Sequence, residues 1–346
     1  MRTTLGYLKW PLVVTVLGLA LGAWLGWNTT GTVGGMLTVF FICAVLAVLE
    51  ISLSFDNAIV NANKLKTMTP VWQRRFLTWG ILIAVFGMRI VFPLAIVATA
   101  AWIGPFAALR LAVAEPAEYS RIIGEAHLSI AAFGAAFLMM VGLSYFIDQE
   151  KEIDWIGALE RRLRRWGSIR GFEIGFVLSL SLLFASVLPD HESGTFLFSA
   201  VGGLLTFMAV DLLGRVLDAS EAARDATRQG GLGAFLYLEV LDASFSFDGV
   251  IGAFALTTNL FLIAIGLGIG AMYVRAMTIM LVDRGTLSQF RYLEHGAFYS
   301  ILALSVMMFA QSLVHVPEAL TGLLGAGLIA AALWSSVLHN RRLAEA

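Results

Sequence analysis

Two stretches of the chain place carboxylates where a membrane protein can least accommodate them. Residues 49–57 read Leu-Glu-Ile-Ser-Leu-Ser-Phe-Asp-Asn, and residues 241–249 read Leu-Asp-Ala-Ser-Phe-Ser-Phe-Asp-Gly. Glu50 aligns with Asp242, Ser54 with Ser246 and Asp56 with Asp248, and each copy lies in an apolar run long enough to cross a bilayer. A carboxylate at that depth costs on the order of 2.5–3.5 kcal/mol, so paired motifs of this kind imply a function. Carboxylate, hydroxyl and amide oxygens are hard donors, suited to manganese, calcium or magnesium rather than copper or zinc. The candidate metal ligands are Glu50, Ser54, Asp56 and Asn57 in the first copy and Glu239, Asp242, Ser246 and Asp248 in the second.

Arg89 and Arg275 each close a matched Gly-x8-Arg spacing. The four aligned carboxylates, Glu50, Asp56, Asp242 and Asp248, exceed these two arginines by two charges, which one divalent cation would neutralise. Both arginines are therefore read as charge compensation rather than as ligands of an anionic substrate, and Glu239 is left over as an entry ligand. His127 and His295 share their spacing to Met139-Met140 and Met307-Met308, and both are candidates for a proton relay. On a continuous helix Glu50, Ser54 and Asn57 share a face, while Asp56 points about 120° away. A break near Ser-Phe-Asp would let the acids converge, as in many transporters. Alternatively, the serines bond back to i−4 carbonyls and the helices stay regular.

The elements that must position these residues are membrane helices. Of 346 residues, 59% are hydrophobic and 14% charged, and the mean hydropathy is +0.83. This describes an all-α polytopic membrane protein whose first partner is the lipid bilayer. A net charge of −1 offers no basic field for nucleic acid, and the single Cys43 excludes disulfides and cysteine metal clusters. Apolar runs predict about ten spans, at 10–27, 36–61, 76–101, 127–147, 171–188, 195–216, 233–258, 260–282, 297–314 and 319–338. The first resembles a signal peptide, but it is long for one and no small-x-small site follows it, so it is read as an uncleaved span.

Almost all loop lysines and arginines fall on one side of this arrangement, leaving only Arg110 and Arg121 on the other. Both termini are therefore expected to be cytoplasmic, in a multi-pass protein of the cell (inner) membrane. The matched motifs, arginines and histidines recur in one order, which predicts an internal duplication. Five spans per half require opposite insertion, giving two inverted-topology repeats at 1–190 and 191–346 within one membrane domain. In 153–166, Ile156, Leu159, Leu163 and Trp166 recur at helical spacing opposite Arg161, Arg162, Arg164 and Arg165. This is the pattern of an interfacial helix, or of a basic anchor that serves topology alone. The segment 102–126, with Pro105 and Pro116, reads as a partly ordered external hairpin, and 218–232 as a surface helix and turn.

With Glu50-x-Ser-x-Ser-Phe-Asp56-Asn57, Glu239-x-x-Asp242-x-Ser-x-Ser-Phe-Asp248-Gly249 and Tyr292-Leu-Glu-His-Gly-Ala297 in view, the chain resembles the TerC family of bacterial integral membrane proteins. The likeness is to the larger, poorly characterised branch of that family, and it covers spans 2–4 and 7–9. The resemblance implies a relative of the LysE-like exporters, linked to tellurium resistance and manganese export. It would make Glu50, Asp56, Asn57, Glu239, Asp242 and Asp248 ion ligands. Ser54 and Ser246 depart from the smaller residues usual in those motifs.

The leading functional expectation is a secondary transporter exporting a divalent cation, manganese(II) first, by proton exchange at a midplane acidic site. No cofactor and no enzymatic activity are expected, since the chain shows neither an ATP-binding loop nor a nucleophile–base arrangement. The alternative is a non-transporting scaffold of a metal or tellurite stress-response complex. Either reading leaves a homo-oligomer open.

Overall fold

The computed structural model describes residues 4–80, 83–149, 151–224, 231–314 and 316–345, and its regular elements are all helical. In chain order they are α1 (Thr4–Thr30), α2 (Val33–Leu53), α3 (Phe55–Lys66) and α4 (Pro70–Arg75). Two π-helical segments follow, Phe76–Gly80 and Ile83–Val91, then α5 (Phe92–Ala100), α6 (Pro105–Ala114), α7 (Pro116–Glu125) and α8 (His127–Ile147). The second half comprises α9 (Gly157–Gly167), α10 (Phe172–Ala185), α11 (Asp190–Arg224) and α12 (Leu232–Leu256). It ends with α13 (Leu260–Asp283), α14 (Thr286–Gln289), α15 (Leu293–Gln311) and α16 (Glu318–Glu345).

Seven helices among the described residues are long and apolar enough to cross a membrane, and an eighth if the bent pair α9–α10 counts as one. Three of the ten expected spans are absent from this set. The run 76–101 is divided between π-helical winding and α5, which carries Pro93 in its first turn. The run 171–188 supplies only the 14 residues of α10, and Pro189 follows soon after. The helix from 233–258 forms, as 25-residue α12, but it carries Glu239, Asp242 and Asp248. The expected external hairpin is two short helices, each opened by its proline near the first helical position, where proline's fixed φ suits a helix start. In the 218–232 segment the backbone is helical as far as Arg224, as a continuation of α11; its exposure and the expected turn at 225–230 lie outside what is described.

The helices form two compact units, each assembled from three stretches of chain. The first comprises 1–58, 70–127 and 245–280. Its core packs Leu46 of α2 against Val250 and Ala253 of α12 and Ile263 and Leu267 of α13. A second cluster joins Val97, Ala112, Tyr119 and Ile123 of the short helices to Leu260. The other unit comprises 59–69, 128–244 and 281–346. At its centre α8 lies against α15, with Ser305 Oγ donating to the Ala135 carbonyl at 2.7 Å. α16 closes on α15 through the Tyr292 N–H, which donates to Ser336 Oγ at 2.8 Å.

Candidate cation site

In the first unit the motif helix breaks where its sequence allows. α2 ends at Leu53, Ser54 caps it at φ −104°, ψ 17°, and α3 restarts at Phe55. Asp56 then lies in the first turn of α3, where a carboxylate is favoured by the helix dipole, and its Oδ1 accepts from the Asn57 N–H at 2.8 Å. One turn before the break, Glu50 is 4% exposed. Its Oε1 accepts from Ser54 Oγ at 3.1 Å and from the Arg89 guanidinium. Arg89, itself buried, comes from the π-helical segment Ile83–Val91, a winding often found at functional sites. The chain approaches this carboxylate closely on another side. A Cβ at Gly270 would fall 2.4 Å from Glu50 Cβ and Cγ, and one at Gly249 would fall 3.1 Å from Oε2. Glu50 is thus a paired, tightly enclosed charge.

The serines divide between the two readings offered by the sequence. Ser52 is exposed and bonds back to the Val48 carbonyl at 2.8 Å, and Ser244 does the same to Val240 at 3.0 Å. Ser54 instead uses its hydroxyl on Glu50. The second motif lies on α12, which stays helical through Ser246 and Asp248. Ser246 is half-buried there, and the Asp248 side chain lies outside the described residues, as does the expected meeting of Asp56 with Asp248.

The second unit holds Glu239 and Asp242, one turn apart on α12, with Asn61 of α3. Asn61 Nδ2 donates to Asp242 Oδ1 at 2.8 Å. Glu239 is 8% exposed, and neither of its carboxylate oxygens accepts a hydrogen bond among the described residues. The buried Asn61 Oδ1 likewise has no donor. A buried acceptor without a donor is costly, and two neighbouring carboxylates compound the cost. Three such oxygens beside Asp242 form a set that a hard cation or protons would satisfy. Among the described residues no three His, Cys, Asp or Glu side chains gather into a metal cluster, so the set consists of two carboxylates and an amide. Asn61 was not among the residues expected from the sequence. Its signal is its place one turn after Asn57 on a helix that begins with an acid.

The other expected residues have separate settings. Arg275 lines a cavity of about 230 Å³ with Tyr7, Trp10 and Met272. His127 opens α8, half-buried. His295 is buried at the start of α15, where Nε2 lies 2.8 Å from the Ile153 carbonyl and 3.5 Å from Glu160 Oε2, and Nδ1 faces Tyr145 Oη at 3.4 Å.

Glu160 is the second residue that sequence reasoning missed, because it lies among arginines on a helix taken to be a surface one. It is fully buried. Its Oε1 accepts from the N–H groups of Trp155 and Ile156 and from Tyr299 Oη, and its Oε2 accepts from Lys151. Burial pushes the Glu160 carboxyl up, but Lys151, the Ile156 N–H and His295 outweigh it and hold the group below the ordinary carboxylate value. Burial likewise pulls the Lys151 ammonium down, against the opposing pull of Glu160.

Comparison with known proteins corrects one expectation. No curated protein and no solved structure matches the chain. The family model that matches residues 55–343 is described as Protein of unknown function (DUF475), and it overturns the resemblance to TerC and the LysE-like exporters. That resemblance rested on short acidic motifs of a few residues each. The match to the DUF475 model spans well over half of the sequence, from inside the first motif almost to the C-terminus, and the chain belongs to that family.

Proposed function

We propose that this protein is a secondary transporter of a divalent cation, manganese(II) first, with calcium and magnesium as the chemical neighbours. The observation that carries the reading is the buried carboxylate of Glu239, without a donor among the described residues, beside Asp242 and the Asn61 side-chain Oδ1. In a low-dielectric interior such a group needs a counter-charge, and a mobile cation and protons are alternative ways to supply it. Binding one would release the other, so the transport step is a metal-for-proton exchange. Glu50, already paired with Arg89, serves in this scheme as a fixed structural charge of the first motif.

The finer architecture proposed with it is a pair of inverted repeats in the inner membrane, with both termini cytoplasmic. Two features support the repeat. The helices bearing matched motifs, α2 and α12, share a core in the first unit, and those bearing the matched methionine pairs, α8 and α15, pack together in the second. The experiment is manganese flux in proteoliposomes with and without an imposed pH gradient, for the native chain and for Glu239→Gln. Gradient-driven flux lost in the variant is the expected result. A native chain that moves no manganese, calcium or magnesium would sink the transporter and leave the scaffold reading.

A further inference from the structure

The stretch from Ile156 to Arg170 combines arginines with large apolar residues, and its burial pattern is the reverse of a helix packed on protein. The carboxylate of Glu160 is fully buried, whereas Ile156, Leu159, Trp166 and Ile169 are 43%, 44%, 43% and 60% exposed. Arg161, Arg162, Arg165 and Arg170 are exposed as well. Arg164 is turned to Asp154, with Arg161 a looser 3.9 Å from the same carboxylate. Around α9, Arg161 and Arg165 run along one edge of the exposed arc and Leu159 and Trp166 along the other, with Arg162 between them.

Direction comes from the turn into α10. Gly171 takes φ +74°, a left-handed conformation that favours glycine, and α9 and α10 are bent by 103°. Where apolar α10 runs into the hydrocarbon, α9 therefore lies nearly parallel to the bilayer surface. Water would solvate the arginines but not the exposed Trp166, Leu159 and Ile169. The headgroup layer accommodates both, because apolar side chains dip inward while arginines reach phosphate. Glu160 fixes the helix in this pose through Tyr299 of α15 and through Lys151.

We propose that α9 is a membrane-surface helix whose exposed arginines bind the anionic headgroups of the leaflet on which it lies. The occupant follows from charge. Asp154 and Glu160 are already engaged by Arg164 and Lys151, so Arg162, Arg165 and Arg170, with Arg161 held only by its loose contact to Asp154, are available to lipid phosphate.

The test places a nitroxide on an Ala158→Cys substitution in a Cys43→Ala background and reconstitutes the full chain in nanodiscs of phosphatidylcholine, with or without phosphatidylglycerol. Collision of the label with oxygen, relative to a water-soluble nickel chelate, reports its depth. The expected result is a severalfold rise of that ratio with the anionic lipid, which high salt reverses. In Arg161→Gln, Arg162→Gln and Arg165→Gln combined, the ratio should stay at its neutral-lipid value. Equal ratios for the native chain in both lipids would overturn the proposal, and so would a combined variant that keeps the full anionic response. Should the combined variant insert in the opposite orientation, as external labelling of the same cysteine would reveal, the native comparison and its salt dependence decide alone.

Discussion

The Asn61 side-chain amide donates to Asp242 Oδ1 at 2.8 Å, and this single bond commits the amide so that its Oδ1 is left buried without a donor among the described residues. An amide oriented in this way can serve as a neutral oxygen ligand for a cation. Asn61→Ala should therefore weaken manganese binding about tenfold, a loss of about 1.4 kcal/mol. Isothermal titration in detergent would measure it, and unchanged affinity would remove Asn61 from the site.

Glu239→Gln replaces a buried carboxylate that no donor satisfies among the described residues with a neutral group of the same shape. Its expected effect on the empty protein is a melting temperature equal to or a few degrees above that of the native chain, with flux abolished. A large drop in melting temperature would show that the carboxylate is a structural partner rather than a binding group.

Glu50 and Arg89 are expected to behave in the opposite way. Both are buried, so removing the guanidinium leaves the Glu50 carboxylate without its ion-pair partner, and Arg89→Ala should cost about 3–5 kcal/mol. Unfolding of Glu50→Gln, Arg89→Ala and the double variant forms a cycle whose coupling should be well above the noise. Strict additivity would mean that the pair is not energetically linked.

Gly270→Ala tests the enclosure of the same carboxylate. A methyl group there would fall 2.4 Å from Glu50 Cβ and Cγ, so the helices must shift, at about 1–3 kcal/mol. Gly175→Ala, where an added Cβ meets nothing within 4 Å, is the control and should be near neutral or stabilising. Equal thermal stability of the two variants would contradict the close approach.

The attachment of α9 should depend on pH with a definite sign. The folded-state pKa of Glu160 is lowered, so its contribution is present above the ordinary carboxylate value of 4.5 and is lost as pH falls below that toward the folded value. Amide exchange of 156–166 should therefore accelerate on acidification, and Glu160→Gln should remove that dependence at the cost of faster exchange at neutral pH. Identical protection at neutral and acidic pH in the native chain would refute it.

What the sequence determined alone was the solvent and the chemistry. Composition and long apolar runs require a helical membrane protein, because unpaired backbone is not tolerated in lipid. Acids in those runs identify Glu50, Asp56, Glu239 and Asp242 as residues needing a reason to be there, and Ser-Phe-Asp-Asn marks where α2 gives way to α3. Seven of ten expected spans are among the helices long and apolar enough to cross. The others depend on features that hydropathy averages away, such as π-helical winding and the shortness of α10.

Tertiary structure decided which acid is satisfied. Locally Glu50 has Ser54 one turn on where Glu239 has Ala243, but neither α2 nor α12 carries a cation beside its acid. Only packing brings Arg89 to the first and leaves the second without a donor among the described residues. The same holds for Glu160, which helical periodicity groups with the arginines of α9. Contacts from Lys151, Tyr299 and two backbone N–H groups make it the buried residue of that helix and turn its apolar neighbours outward. A sequence pattern specifies what each helix can bury. Which face meets protein and which meets lipid depends on the partners that distant parts of the chain supply.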